Sequence, residues 1–131
     1  MSTLLSIAKR NAVLSRMATL LEEERTNLKS VNQQDLDNYS GADLAMEKRL
    51  LVDDAKIDGM ILSMQQLASQ EDPIGVERFH FVHEKGLKIT NKTAAFGTVM
   101  IIYESRPDVT IEAGGIAFKS GNKILLKGGK E

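Results

Sequence analysis

Two short polar clusters near the end of the 131-residue chain carry the residue types that could do chemistry. One is Tyr103-Glu104-Ser105-Arg106-Pro107 and the other is Lys127-Gly128-Gly129-Lys130. In the second, two ammonium groups flank glycines, which let backbone N–H groups approach an anion closely. It is not a P-loop, because the G-x-x-x-x-G-K-[ST] spacing is missing, and G-x-G-x-x-G does not occur in the chain either. In the first cluster, Arg106 offers a guanidinium that pairs bidentately with a carboxylate or phosphate. Ser105 offers one hydroxyl donor. By residue type alone, the first cluster also reads as a strand-end turn with Arg106 solvated or salt-bridged, and Lys127 to Lys130 more often as a surface turn.

The elements around these clusters say where they stand. Thr98–Ile102 is an almost unbroken apolar, β-branched run, which predicts a strand buried on both faces. Pro107 ends it, and Asp108 is expected to cap a helix that reaches about Ser120, where Gly121-Asn122 supplies a left-handed stop. Ile124-Leu125-Leu126 is a second short strand. Strand, helix and strand in this order form a βαβ unit, which crosses over right-handed into a parallel sheet. Ligands of such sheets bind beyond the carboxyl ends of the strands. Both clusters fall there.

The strings IIYESRPDVT and KSGNKILLKGGKE, with Asn32-Gln33-Gln34-Asp35-Leu36 and Glu71-Asp72-Pro73-Ile74-Gly75 before them, carry a resemblance that covers most of the chain. The sequence resembles the amino-terminal third of the glutamate-5-semialdehyde dehydrogenase (γ-glutamyl phosphate reductase) family of the aldehyde dehydrogenase superfamily. The resemblance implies NADPH-dependent reduction of L-glutamyl 5-phosphate to L-glutamate 5-semialdehyde, a step of proline biosynthesis. It places Lys127, with Gly128 and Gly129, beside the adenosine ribose of the cofactor. Lys130 falls where NAD-preferring relatives carry an acidic residue, which implies NADP(H), since an ammonium attracts the 2′-phosphate that a carboxylate repels. Ile102, Tyr103 and Glu104 match the stretch whose backbone borders the nicotinamide ribose. Ser105 aligns with the oxyanion-hole asparagine, and Arg106 becomes a substrate contact. Two departures touch the substrate pocket: Asp108 stands where the family has asparagine, and Ala94-Ala95-Phe96-Gly97 where it has a proline before a large apolar residue.

The family's acyl transfer runs through a cysteine thiolate, and this chain has no cysteine. The resemblance therefore implies an incomplete, catalytically inactive part of the enzyme. The alternative is a stand-alone nucleotide-phosphate-binding module, or a helical interaction module, without catalysis. Zero cysteines also exclude disulfides and thiolate metal sites. With 17 basic and 18 acidic residues the chain gives no electrostatic argument for nucleic acid or an anionic membrane. No apolar run approaches the ~20 residues of a membrane span, and the first residues do not read as a signal peptide, so a cytoplasmic protein is expected. His80 and His83 point to opposite faces of a strand, a poor metal site, and none is expected.

Before the site, apolar residues recur at helical spacing. Leu4, Ile7, Ala8, Leu14, Met17, Ala18, Leu21 and Leu28 predict an amphipathic helix over 2–28, broken near Thr26-Asn27, with Glu22 to Arg25 on a solvated face. Shorter helices are expected over 31–39 and 43–52. A fourth, capped by Asp53 or Asp54, carries the stripe Ile57, Met60, Ile61, Met64, Leu67 and Ala68; Gly59 within it is expected to serve a close contact. After the turn at Asp72 to Gly75 the period changes to two, with Phe79 and Phe81, then Leu87 and Ile89, alternating around Lys85-Gly86. That pattern is a β-hairpin. By resemblance it is an arm through which copies of the chain assemble into a homo-oligomer. The expected organisation is α/β: a helical part over 1–75, a hairpin arm over 76–93, and over 94–131 the βαβ start of a Rossmann-like NADP-binding domain.

Overall fold

The structure, a computed structural model, describes residues 4–41, 43–104 and 106–129. Its elements are α1 (Ile7–Glu23), α2 (Arg25–Asn38), α3 (Leu44–Leu50), α4 (Asp54–Ser69), β1 (Glu77–Val82), β2 (Lys88–Lys92), β3 (Thr98–Ile102), α5 (Pro107–Lys119) and β4 (Lys123–Lys127). Ser6, Asp43 and Asp53 open α1, α3 and α4, each side chain accepting a hydrogen bond from a first-turn amide: Lys9, Ala45 and Lys56 in turn. These are amides the helix itself leaves unpaired.

The first helix boundary differs from the sequence expectation. The chain bends at Glu24 rather than near Thr26-Asn27, and α2 starts at Arg25, not at residue 31. Glu24 stays close to helical dihedrals (φ −94°, ψ 7°); its N–H reaches the Leu20 carbonyl at 2.9 Å and its carbonyl accepts from Leu28 at 2.8 Å. Helical pairing passes through the bend, so no stop residue marks it. Arg25 is half-buried where Glu22 to Glu24 are exposed. Its guanidinium meets the carboxylates of Glu22, Asp54 and Asp58, which ties the corner to α4.

The core lies between α1 and α4, where Leu14, Ala18 and Leu21 meet Val52, Ile57, Met60 and Met64. The stripe expected on α4 is all there, with Ile61, Leu67 and Ala68 packed against that cluster. Helix α5 crosses α4 at Gly115, where an added Cβ would lie 2.5 Å from Met64 Cε and 3.0 Å from Leu67 Cδ1. A Cβ there would fit only if the ends of the Met64 and Leu67 side chains shifted, and Met64 is fully buried. Gly59 plays no such part, since a Cβ on it would meet nothing within 4 Å.

Strands β1 and β2 pair antiparallel, with Phe81 opposite Ile89 and Val82 opposite Lys88. Gly86, at φ 83°, closes the turn, its N–H donating to the His83 carbonyl at 2.8 Å. All residues of both strands are exposed. Phe79 and Phe81 stack with ring centroids 6.4 Å apart. His80 bonds to Thr90 on one face of the hairpin, and His83 stands edge-on to Phe81 on the other. Among the described residues no three or more His, Asp or Glu side chains cluster in a way that could hold a metal ion.

Strands β3 and β4 pair parallel on either side of α5, from Thr98 opposite Lys123 to Ile102 opposite Lys127. Burial of β3 on both faces does not hold: Val99 and Ile101 are half-buried, but Met100 is 55% and Ile102 70% exposed. The sheet has two strands here, and α5 packs against β4 without covering both faces. Asp108 is not the cap of α5 either. Pro107 takes the first helical position, where a missing N–H is harmless, Arg106 precedes it, and Asp108 lies within the first turn. The far end stops as expected, with Gly121 at φ 73°, its N–H on the Phe118 carbonyl at 3.0 Å and that of Asn122 on Ala117 at 2.8 Å.

Candidate functional site

The parallel register brings the two polar clusters to one edge. Ile102 pairs with Lys127, and the Tyr103 N–H donates to the Lys127 carbonyl at 3.0 Å, extending the ladder one residue past the strand. The Tyr103 hydroxyl lies 2.5 Å from Thr110 Oγ1 on α5, which holds the ring across the start of that helix. Gly128 passes the same ring; a Cβ on it would lie 3.9 Å from ring atoms, an ordinary contact. Neither steric crowding nor a positive φ demands glycine at 128; its lack of a side chain leaves the strand end open beside Tyr103. Glu104 follows in an exposed bend. Among the described residues this strand end presents exposed Lys127 and Glu104 beside Gly128 and Gly129, at the end where ligands of open parallel sheets bind.

Arg106 turns toward Asp108, its Nη2 donating to Asp108 Oδ2 at 2.9 Å. That bond and the charge behind it raise the Arg106 pKa, so the guanidinium stays charged. The structure thus brings together Ile102, Tyr103, Lys127 and Gly128, with Glu104 and Gly129 adjoining and Arg106 beside them on the α5 turn. Ser105 and Lys130 lie outside the described residues. Thr110, the partner of Tyr103, has no signal in the sequence beyond its position one turn into the helix.

A groove of about 840 Å³ opens elsewhere, at the amino ends of the strands, among Leu4, Ile74, Ala95, Thr98, Gly121 and Lys123. Ligand sites of open parallel sheets sit at the other end, so size does not make it the candidate site. Beside it lies a buried polar clamp that the sequence reading missed. Arg10, 2% exposed, donates to Asp72 Oδ2 at 2.5 Å and to the Lys119 carbonyl at 3.1 Å. Lys119, also 2% exposed, donates at 2.7 Å to Asn11 Oδ1 and to the Gln70 carbonyl. Burial pushes the Lys119 ammonium's pKa down, Arg10 adding repulsion that Asp72 partly offsets. The clamp joins α1 to the carboxyl ends of α4 and α5, where cations meet favourable helix dipoles. A signal for it exists: Arg10 falls in register with Leu14, Ala18 and Leu21 on the buried stripe of α1.

No protein-family model matches the chain. Curated relatives do. The γ-glutamyl phosphate reductase of Hydrogenobaculum sp. (strain Y04AAS1) is 39% identical over 129 residues, spanning 97% of this chain and 29% of that protein. That of Aliarcobacter butzleri is 40% identical over 129 residues, 97% of this chain and 31% of the relative. Among solved structures, γ-glutamyl phosphate reductase from Thermotoga maritima matches with a TM-score of 0.87 and 35% identity, over 95% of this chain and 31% of that one. The Saccharomyces cerevisiae enzyme matches with a TM-score of 0.90 and 30% identity, over 96% and 33%. The chain spans about three-tenths of the length of the curated relatives it matches. By sequence and by fold, nearly the whole chain corresponds to the amino-terminal part of γ-glutamyl phosphate reductase.

Proposed function

We propose that this chain supplies the first part of a cofactor-binding unit for the reduction of L-glutamyl 5-phosphate. In the balanced reaction the acyl phosphate, NADPH and a proton give L-glutamate 5-semialdehyde, NADP⁺ and inorganic phosphate. What supports the reading is the correspondence of 97% of the chain with γ-glutamyl phosphate reductases. NADPH, when bound, supplies the hydride. The chain's own residues bind and orient: Lys127, Gly128 and Gly129 hold the adenosine ribose side, and the backbone of Ile102, Tyr103 and Glu104 borders the nicotinamide ribose. Arg106 contacts the substrate, and Ser105 takes the role of oxyanion donor. Lys130 meets the 2′-phosphate and sets the preference for NADP(H). The exposed hairpin joins copies of the protein into an oligomer.

Attack on the acyl phosphate calls for a thiolate, and the 131 residues contain none. The isolated chain is therefore expected to be inactive, and the thiolate to come from outside it. The test is NADP⁺ reduction with glutamate 5-semialdehyde and phosphate, measured on the natural gene product and on the 131-residue chain. Turnover by the former but not the latter is expected. No turnover by the gene product overturns the reading, and turnover by the purified 131 residues overturns the requirement for an external thiolate.

A further inference from the structure

The clamp of Arg10, Asp72 and Lys119 carries an excess positive charge beside open space. Arg10 and Lys119 are each 2% exposed, and among the described residues Asp72 is the one carboxylate in ion-pair contact with either. The helix-end carbonyls that also accept from these two cations carry only partial charges. Hydrogen bonding is incomplete as well. Nη1 and Nη2 of Arg10 are taken by the Lys119 carbonyl and by Asp72, but the buried Nε has no partner among the described residues. Arg10 is also one of the residues that line the groove of about 840 Å³ at the amino ends of β3 and β4. Most of that lining is apolar, including Leu4, Ile74, Phe118 and Ile124, and Lys123 adds an exposed cation at the start of β4.

This combination selects a ligand with an anionic acceptor on an apolar body. A neutral apolar molecule would leave the charge and the Nε–H uncompensated, and a bare inorganic anion would leave the apolar walls in water. Nε is enclosed as the groove stands, so a head group reaches it by parting the wall. Leu4 and Leu5, both exposed lining residues ahead of α1, belong to no helix or strand and are the least fixed part of that wall.

We propose that the groove binds a carboxylate carried on an unbranched aliphatic chain, its head group at Arg10 and its chain along Leu4, Ile74, Phe118 and Ile124. The site lies at the opposite end of the strands from Tyr103 and Lys127, so it is separate from the proposed cofactor and substrate contacts and does not rest on them. A charge-assisted bond to a buried guanidinium contributes roughly ten-fold or more in affinity. Each methylene laid on the apolar wall adds roughly two- to four-fold.

Calorimetric titration of the natural gene product with octanoate, butanoate and 1-octanol tests the site. Butanoate keeps the charge and shortens the chain, and 1-octanol keeps the chain without the charge. Octanoate is expected to bind about ten-fold or more tighter than either. Arg10 is left intact, because its loss would destabilise the fold, and the place is read from two other lining residues. Ala95→Phe fills the groove and should abolish octanoate binding. Lys123→Glu reverses an exposed charge; it should weaken octanoate roughly three- to five-fold and leave 1-octanol unchanged. Absence of octanoate binding, equal affinities for octanoate and 1-octanol, or octanoate binding that neither substitution alters would each overturn the proposal.

Discussion

Replacing Arg10 by methionine removes a buried charge while keeping most of the aliphatic stem, so the result reads the polar clamp rather than a cavity. Two bonds go, to Asp72 at 2.5 Å and to the Lys119 carbonyl at 3.1 Å. Removing one partner of a buried ion pair costs about 3–5 kcal/mol. Two features reduce that figure. Asp72 keeps 33% of its side chain exposed, so water can solvate the orphaned carboxylate, and its other oxygen still accepts from the Ile74 N–H at 3.0 Å. Lys119, for its part, loses a repelling neighbour. A net loss of about 2–3 kcal/mol remains, which for a chain of this size lowers Tm by roughly 6–15 °C. Arg10→Lys, which keeps the charge but cannot span both acceptors, should fall between. Urea unfolding of the wild type and both variants measures this. A loss under about 0.5 kcal/mol for Arg10→Met, the range of ordinary surface substitutions, would refute the clamp as a stabilising element.

The two helical glycines should respond in opposite senses: Gly59→Ala gains up to about 1 kcal/mol of helix propensity, whereas Gly115→Ala drives a Cβ against Met64 and loses about 1–3 kcal/mol. Paired thermal melts decide it, and a shift of the same sign at both sites contradicts the packing described. Because the folded pKa of Lys119 lies below its ordinary 10.5, the unfolded chain binds more protons between those two values. This group's contribution to stability therefore rises with pH across that window and is flat below it. The wild type should gain on Lys119→Met as pH climbs toward 10.5, and a difference independent of pH would exclude the depressed pKa. The exposed face of the hairpin should drive self-association, which sedimentation velocity would show and Phe79→Ser with Phe81→Ser should abolish; a wild type that sediments as a single monomer over the whole concentration range would count against it.

Where local chemistry decides the fold, the sequence is a good guide. Period four along α4, period two along the hairpin, and Gly121 after α5 each impose one local geometry, and each appears as expected. The failures are of another kind. Arg10, Lys119 and Asn32 are polar residues on buried faces whose partners lie 18 to 109 positions away, and Arg10 Nε has no partner among the described residues. Residue type assigns them to solvent, and only their register with apolar neighbours argues otherwise. Gly59 and Gly115 look alike as helical glycines, and only the crossing of α5 over α4 separates them. Of the site, the strand-end meeting of Tyr103 with Lys127 was legible, because a βαβ unit places both at one edge. The pairing of Arg106 with Asp108 was not. It depends on Pro107, not Asp108, starting the helix, a shift of a few residues that turns the carboxylate from capping backbone amides to facing a guanidinium.

The central claim is that the end of β4 holds the adenosine side of NADP(H), with Lys127 serving the ribose common to both cofactors and Lys130 the 2′-phosphate. The direct test is the ratio of kcat/KM for NADP⁺ and NAD⁺ in the natural gene product and in Lys130→Glu and Lys127→Ala. A charge-assisted hydrogen bond to the 2′-phosphate contributes about 1.5–3 kcal/mol, roughly ten- to a hundred-fold. Lys130→Glu should lower the NADP⁺:NAD⁺ ratio by about that factor, while Lys127→Ala weakens both cofactors and leaves the ratio in place. A ratio that Lys130→Glu does not change, or that Lys127→Ala changes as strongly, would contradict the account.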